Sequence, residues 1–490
     1  MASLRKISIY SASVALFLCS STVYCAEQTA SNPAAELDVL RDAVSATRAE
    51  EGAYSETLVN ELSALAEALL ATGTYAEAAA VIDEQIHITK VNDGLYTDDL
   101  IPALLQQLEL AAAQSDWEAL FDRLKHLNWL FQRTDFAGID TRIAQIKTTR
   151  DWLRLLLIRG PSSLEPQYLL ELQALEEEAL LLAQQGGATA EQITPLIYDE
   201  ALAELYIALG IAATGDTSRA LIEHQEGGLT ATIRSSRIQS MTTAYDIERV
   251  YGARSTTAID RVHRSTMSKH FELIESIGKE LRIDPDNLPE DASPETIETA
   301  AMIKLYQGDS LLLRDQYELR LGTRAGPDRG SSNIGSAGRY YREAWNLFRQ
   351  AGFEDDYLNS YFACPSRLPL PAFLFALPEN QEDCTIEENG VVELPTMALK
   401  HDGIPSLSFR DLPTSELMGT AAGTRARLKF TLGLNGQARR LDAISSEPDT
   451  VSARIRGHEA LESLQFRPAL RDGEPLRLDH VEITIYSIDR

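Results

Sequence analysis

"LQFRPALRDGEPLRLDHVEITIY", residues 464–486, decides how the end of this chain folds. Val481, Ile483 and Ile485 alternate with polar neighbours, which is the period of a strand with one buried side. Asp472-Gly473 supplies a turn ahead of it, and Pro468 and Pro475 stand seven residues apart, so a long helix is excluded. Just upstream, "RARLKFTLGLNGQARRLDAIS" (425–445) places Leu428, Phe430, Leu432 and Leu434 two apart. Asn435-Gly436 then predicts a tight hairpin with "QARRLDAI" as the return strand. "DTVSARIRGHEALESLQF" (449–466) predicts a helix capped by Asp449, with Val451, Ile455, Leu461 and Leu464 on one stripe. The expected order is strand, strand, helix, strand.

Ahead of this piece the grammar is helical. "VNELSALAEALLATGTYAEAAAVIDEQIHI" carries apolar residues at 62, 65, 66, 69 and 70, breaks at Gly73, and resumes from Tyr75. The pattern returns 42 residues later. Gly52, Tyr54, Leu58 and Leu62 match Gly94, Tyr96, Leu100 and Leu104, and Gly73, Tyr75 and Ile82 match Ser115, Trp117 and Leu124. "GTYAEAAA" resembles the turn of a tetratricopeptide repeat, with a small residue, an aromatic and then Glu-Ala. That resemblance implies helical hairpins stacked into a solenoid. Further hairpin-like pieces are 198–221 and 337–353. Between about 135 and 300 the period is lost, and an irregular helical array is the alternative there.

The chain carries a net charge of −28, while the segment from Arg425 to Arg490 holds 11 Lys and Arg against 10 Asp and Glu. The surplus acid therefore lies upstream. Such a charge opposes nonspecific binding to nucleic acid or anionic lipid. At the start, "MASLRK" is basic, "ISIYSASVALFL" is a mostly apolar run of 12, and "CSSTVYCA" offers small residues. That order predicts a signal peptide over 1–26 and a periplasmic location; an uncleaved inner-membrane anchor is the alternative. With Cys19 and Cys25 in the signal, Cys364 and Cys384 remain as an even pair in an exported chain. A disulfide is expected, with two free thiols as the alternative.

The expected organisation is a mostly α chain with a small α+β domain at its end. A helical repeat region fills 27–363, a Pro-rich strap and linker 364–420, and the terminal domain 421–490. "GTRAGPDRGSSNIGSAG" (322–338) reads as a Gly/Ser loop inside the helical part.

The terminal order and its punctuation resemble the C-terminal domain of TonB, the periplasmic energy transducer of Gram-negative bacteria. The residues that carry the likeness are Gly436, Phe466, Pro468, Ala469, Asp472, Gly473 and Pro475. The resemblance covers about 70 of the 490 residues. It implies a domain that adds an extended segment of an outer-membrane receptor beside its last strand. Here that margin would be Leu478, His480, Val481, Glu482, Ile483, Thr484, Ile485 and Tyr486. It implies a non-enzymatic scaffold in the cell envelope with protein or peptide partners and no cofactor. A membrane-anchored transducer is one alternative. An envelope enzyme with an unrecognised site in the helices is another.

Chemical motifs are weak. Gly308-Asp309-Ser310-Leu311 repeats the name-giving string of a hydrolase family, but inside a helical run rather than after a strand. Asp260 and His263 imitate the partner motif in the wrong order. The eight histidines are scattered without acidic helpers at metal-ligand spacing, so no zinc site is expected. Acidic runs such as Glu176-Glu177-Glu178 read as solvated helix faces.

Overall fold

The computed structural model describes residues 33–133, 138–161, 165–214, 256–320, 332–378, 384–387, 390–400, 423–462 and 464–488. The expected signal segment, the linker from 401 to 420 and residues 215–221 of one expected hairpin lie outside the described residues. Within them the chain is mostly helical, with a small sheet region towards the C-terminus.

The helices are α1 (Pro33–Glu51), α2 (Glu56–Ala71), α3 (Tyr75–Asn92), α4 (Ile101–Ala113), α5 (Trp117–Arg133), α6 (Ile139–Arg159), α7 (Glu165–Gln185) and α8 (Ala190–Thr214). Then come α9 (Thr256–Leu281), α10 (Pro294–Arg320), α11 (Ser332–Gln350) and α12 (Asp355–Tyr361). From α1 to α11 each described helix packs on the next, and α2 also touches α4. The cause is amphipathicity: Leu58, Leu62, Leu65 and Leu69 of α2 are buried along one face, which a single hairpin cannot cover by itself.

The 42-residue offset is physical. Leu58 and Leu100, Leu62 and Leu104, and Ile82 and Leu124 are all fully buried. Both hairpins turn in the same way. Thr74 N–H reaches back to Leu69 O and Asp116 N–H to Ala111 O, each at 2.9 Å. Gly73 and Ser115 take the left-handed backbone these caps need, at φ 74° and 57°. Helix α11 begins at Ser332, so the expected Gly/Ser loop is helical over its second half; residues 322–331 lie outside the described residues.

The β-structure contains β1 (Ser366–Leu368), β2 (Thr385–Ile386), β3 (Val392–Lys400), β4 (Gly423–Leu432) and β5 (Ala438–Glu447). After α13 (Val451–Glu462) come β6 (Gln465–Arg467), β7 (Ala469–Arg471), β8 (Glu474–Leu476) and β9 (Leu478–Ile488). The main sheet runs β2-β3-β9-β4-β5. Only β3 and β9 are parallel; the other neighbours are antiparallel. Helix α13 packs on β4, β5 and β9. Leu428, Phe430, Leu432, Val481, Ile483 and Ile485 form the core beneath it with Phe466.

Two expectations for α13 are corrected. The cap is Thr450, whose Oγ1 accepts from Ala453 N–H at 3.2 Å, while Asp449 pairs with Arg454. Of the expected stripe Leu461 and Leu464 are buried, but Val451 and Ile455 are 72 % and 51 % exposed, and Ala453 and Gly457 take the buried face with Leu461. Small residues win this face because the helix lies close to the sheet: a Cβ on Gly457 would stand 2.6 Å from that of Ala426.

The strap from Cys364 is bound to the helices over its described residues to 378. The disulfide Cys364–Cys384 closes it. Tyr198 Oη donates to Leu370 O (2.8 Å) and Tyr306 Oη to Ala372 O (2.7 Å). Tyr198, Tyr306 and Phe373 pack ring against ring. The segment taken from sequence as strap and linker thus also supplies β1, β2 and β3.

Candidate functional site

The expected docking margin is not a margin. β9 is central, with β4 on one side and β3 on the other. Val481, Ile483, Ile485 and Tyr486 stand in register with Val392, Leu394, Met397 and Ala398 of β3, and Glu482 with Glu393. Thr484 faces Arg427 and Leu478 faces Leu432, both on β4, and His480 is exposed near the start of the strand. The assignment of Leu478 to Tyr486 as a free strand edge is therefore corrected. The chain's own backbone fills the position, held by buried Val392, Leu394 and Met397.

The margins left among the described residues are poor templates. β5 is bonded only to β4, and carries Arg439, Asp442 and Arg440, the last with a left-handed φ of 54°. Its ladder with β4 shifts register twice. β2 covers β3 only at Val392 and Glu393, and beyond that β3 breaks register around Pro395. Charges, bulges and proline are the features that keep edges from pairing.

Of the seven motif residues, Gly436, Phe466, Pro468 and Ala469 shape the β-structure itself, and Asp472, Gly473 and Pro475 meet the helices. Gly436 sits at φ 70° in the β4–β5 turn, where any Cβ would overlap Phe466 O. Phe466 N–H donates to Gly436 O at 2.9 Å, and its ring is buried in the sheet core. Pro468 separates β6 from β7, and Ala469 is buried opposite Leu476. Asp472 Oδ1 accepts from Asn359 Nδ2 and its N–H donates back to Asn359 Oδ1, at 3.0 and 2.9 Å. Gly473 lies against Trp345, and Pro475 against Gly338.

Arg467, between Phe466 and Pro468, enters the helical block. Its Nε donates to Asp309 Oδ1 at 2.9 Å, its Nη2 donates to Oδ2, and Tyr341 Oη donates to Oδ1 at 3.0 Å. All three residues are buried. Burial opposes the guanidinium's charge, and Asp309 outweighs it, so the pKa of Arg467 is raised.

This accounts for the hydrolase-like string on α10. Gly308 leaves room for Tyr341, since a Cβ there would stand 2.5 Å from Tyr341 Cε1. Asp309 takes Arg467. Ser310 Oγ lies 3.2 Å from His270 Nε2, and His270 Nδ1 lies 2.7 Å from Ala201 O. A carbonyl only accepts, so Nδ1 carries the proton and Nε2 accepts from the serine. This serine–imidazole pair joins α8, α9 and α10, but both members are buried in mid-helix packing. Burial lowers the pKa of His270 to about 4, leaving a feeble base at neutral pH. His263 and Asp260 lie on α9, and it is His270 that meets Ser310. Glu176, read as part of a solvated face, is buried beside Arg150, Arg154 and Asp199, and burial raises its pKa to about 8. Among the described residues no group of three His, Cys, Asp or Glu is placed to hold a metal, and no helix is long and apolar enough to cross a membrane.

A surface that the sequence did not single out lies on the first hairpins. Gly52 and Gly94, at φ 99° and 92°, end in the same left-handed turn, two residues before Tyr54 and Tyr96. Those tyrosines are 53 % and 52 % exposed. Each leans on an aromatic of the second helix of its hairpin: Tyr54 on His87 (centroids 6.2 Å apart) and Tyr96 on Trp129 (5.4 Å). His87 and Trp129 are themselves 42 residues apart, so the exposed pair repeats with the hairpin. Val91 and Leu95 are exposed beside it. The signal was present in the matched Gly-x-Tyr, which sequence reading assigned to packing.

Comparison of the chain with family models, with curated proteins and with solved structures finds no match.

Proposed function

We propose that this protein is a non-enzymatic interaction scaffold of the cell envelope, whose N-terminal hairpins carry the partner-binding surface. In this reading the helices form a tetratricopeptide-like stack. The C-terminal β-unit, whose residues resemble the end of TonB, caps the last helices instead of recruiting a partner strand. Stacked hairpins need such a cap, because the terminal unit otherwise exposes an apolar face. The observation that carries the reading is the repeated exposed aromatic pair, Tyr54 with His87 and Tyr96 with Trp129. A folding role would bury these rings, and exposed apolar groups that recur in register are the usual mark of a binding face. The occupied β9 margin and the buried Ser310–His270 pair both lower the case for strand addition and for hydrolysis.

Site-specific photo-cross-linking of the full chain in living cells tests this. Positions 91 and 95, exposed beside the aromatic pairs, should give adducts with another protein, and the chain should fractionate with the envelope. Absence of adducts at both positions, or a cytoplasmic chain, would refute it.

A further inference from the structure

The surface that carries Tyr54 and Tyr96 differs from an ordinary apolar patch in its surrounding charge. Residues 33–133 hold 18 Asp and Glu against 6 Lys and Arg. Glu51 and Glu56 flank the first tyrosine, and Asp93, Asp98 and Asp99 the second. All five are exposed, and none is in an ion pair among the described residues. A hydrophobic partner alone would gain nothing from such acids, whereas a cation on an aromatic face gains from both.

The chain already makes one such contact. The guanidinium carbon of Arg133 lies 5.0 Å from the centre of the Trp129 ring, at the far end of the same series. Among the described residues no Lys or Arg lies over Tyr54 or Tyr96.

We propose that the face bearing Tyr54, Tyr96 and Trp129 binds an extended, arginine-bearing peptide segment of a partner protein, its guanidinium groups resting on the two tyrosine rings. The proposal rests on the scaffold reading and names the chemistry of the partner. Equivalent helices of neighbouring hairpins stand about 10 Å apart. A chain in the extended polyproline II conformation covers that distance in one turn of three residues at about 3.1 Å each, which also brings side chains three apart to the same side. The fitting segment therefore carries arginines three apart, with small residues between them.

The test uses the full chain and a fluorescein-labelled 12-residue peptide with arginine at every third position between Ala and Ser. Matched peptides carry Lys or Glu instead. Anisotropy should show binding of the arginine peptide, weaker binding of the lysine peptide and none of the glutamate peptide, with affinity falling as salt rises. Tyr54→Ala and Tyr96→Ala should each weaken binding about threefold and together about tenfold, while the Phe variants keep it. Equal binding of the arginine and glutamate peptides would overturn the proposal. So would arginine-peptide binding unchanged in the double Ala variant, which would leave the scaffold reading standing on another face. Sedimentation showing self-association abolished by Tyr96→Ala would assign the face to a second copy of the chain and also overturn it.

Discussion

Asp309 and Arg467 stand 158 residues apart in the chain and meet as a buried, two-pronged carboxylate–guanidinium pair. One lies in the middle of α10 and the other in β6, so the pair fixes the β-structure to the helices from inside. Around it the contact is backbone as well as side chain. β6 pairs with β1 of the strap, and Leu470 N–H donates to Phe362 O at 2.8 Å. The C-terminal unit is thus built into the helical body through Arg467 and Leu470, residues interleaved with those that suggested an independent domain.

Removing one member of this pair leaves the other charged and buried. Asp309→Leu should cost about 3–5 kcal/mol, and Arg467→Met a similar amount. Replacing both together, as Asp309→Leu with Arg467→Met, should recover part of the loss, the remainder coming from the Tyr341 hydroxyl, which loses its acceptor. Urea denaturation of the full chain, followed by circular dichroism, measures this. If the double variant is as unstable as the sum of the singles, the two side chains do not act as a pair.

Gly436 tests the junction from the other side. Its left-handed φ and the Phe466 carbonyl beneath it both exclude a side chain. Gly436→Ala should destabilise the protein by about 2 kcal/mol or more and loosen the docking of β6 on the turn. Hydrogen exchange at Phe466 N–H, which donates to Gly436 O, should rise in step. A variant with unaltered melting and exchange would show that the turn tolerates a Cβ.

Much of the fold was legible because its determinants are local. The two-residue period of Leu428, Phe430 and Leu432, followed by Asn435-Gly436, placed the hairpin correctly. The Gly73 break and its echo at Ser115 placed two hairpins, since each needs only a left-handed residue and flanking apolar faces. What failed was non-local. Nothing near β9 says that β3, which precedes it by about 80 residues, will lie parallel beside it. Asp309 looked like part of a hydrolase motif because its partner is on another element. Val451 and Ile455 looked like core because large apolar residues usually are, yet close approach to the sheet selected Ala453 and Gly457 instead. The aromatic pairs were missed for the opposite reason: a repeat was read as packing when its most distinctive residues face solvent.

The disulfide Cys364–Cys384 anchors the strap immediately before β2. It closes a loop with a sequence separation of 20. Restricting the unfolded chain to that extent is worth about 3 kcal/mol. Cys364→Ser with Cys384→Ser should lower stability by about that amount, and a reducing agent should do the same to the parent protein. Because Cys384 leads into the β2–β3 pair that covers β9, limited proteolysis should then cut first between 379 and 400. Equal stability with and without reductant would mean that the bond contributes nothing to folding.

His270 predicts how stability responds to acid. Its folded-state pKa is about 4, because burial penalises the imidazolium, against about 6.5 in an unfolded chain. Between those values the unfolded state binds a proton that the folded state does not, so stability falls as pH drops from about 6.5 towards 4. The slope from this group is at most about 1.4 kcal/mol per pH unit. Below pH 4 the loss is complete, and above 6.5 the group has no effect. The groups against it are the Ala201 carbonyl and the Ser310 hydroxyl, neither of which can receive the proton at these pH values. Carboxylates elsewhere add their own acid dependence, so the informative quantity is the difference from His270→Gln, which keeps a donor and an acceptor but cannot titrate. That variant should be less stable at pH 7.5 and should lose less stability between pH 6.5 and 4.5 in parallel urea titrations. Identical slopes for the two proteins would mean that the imidazole is hydrated or already charged in the folded state.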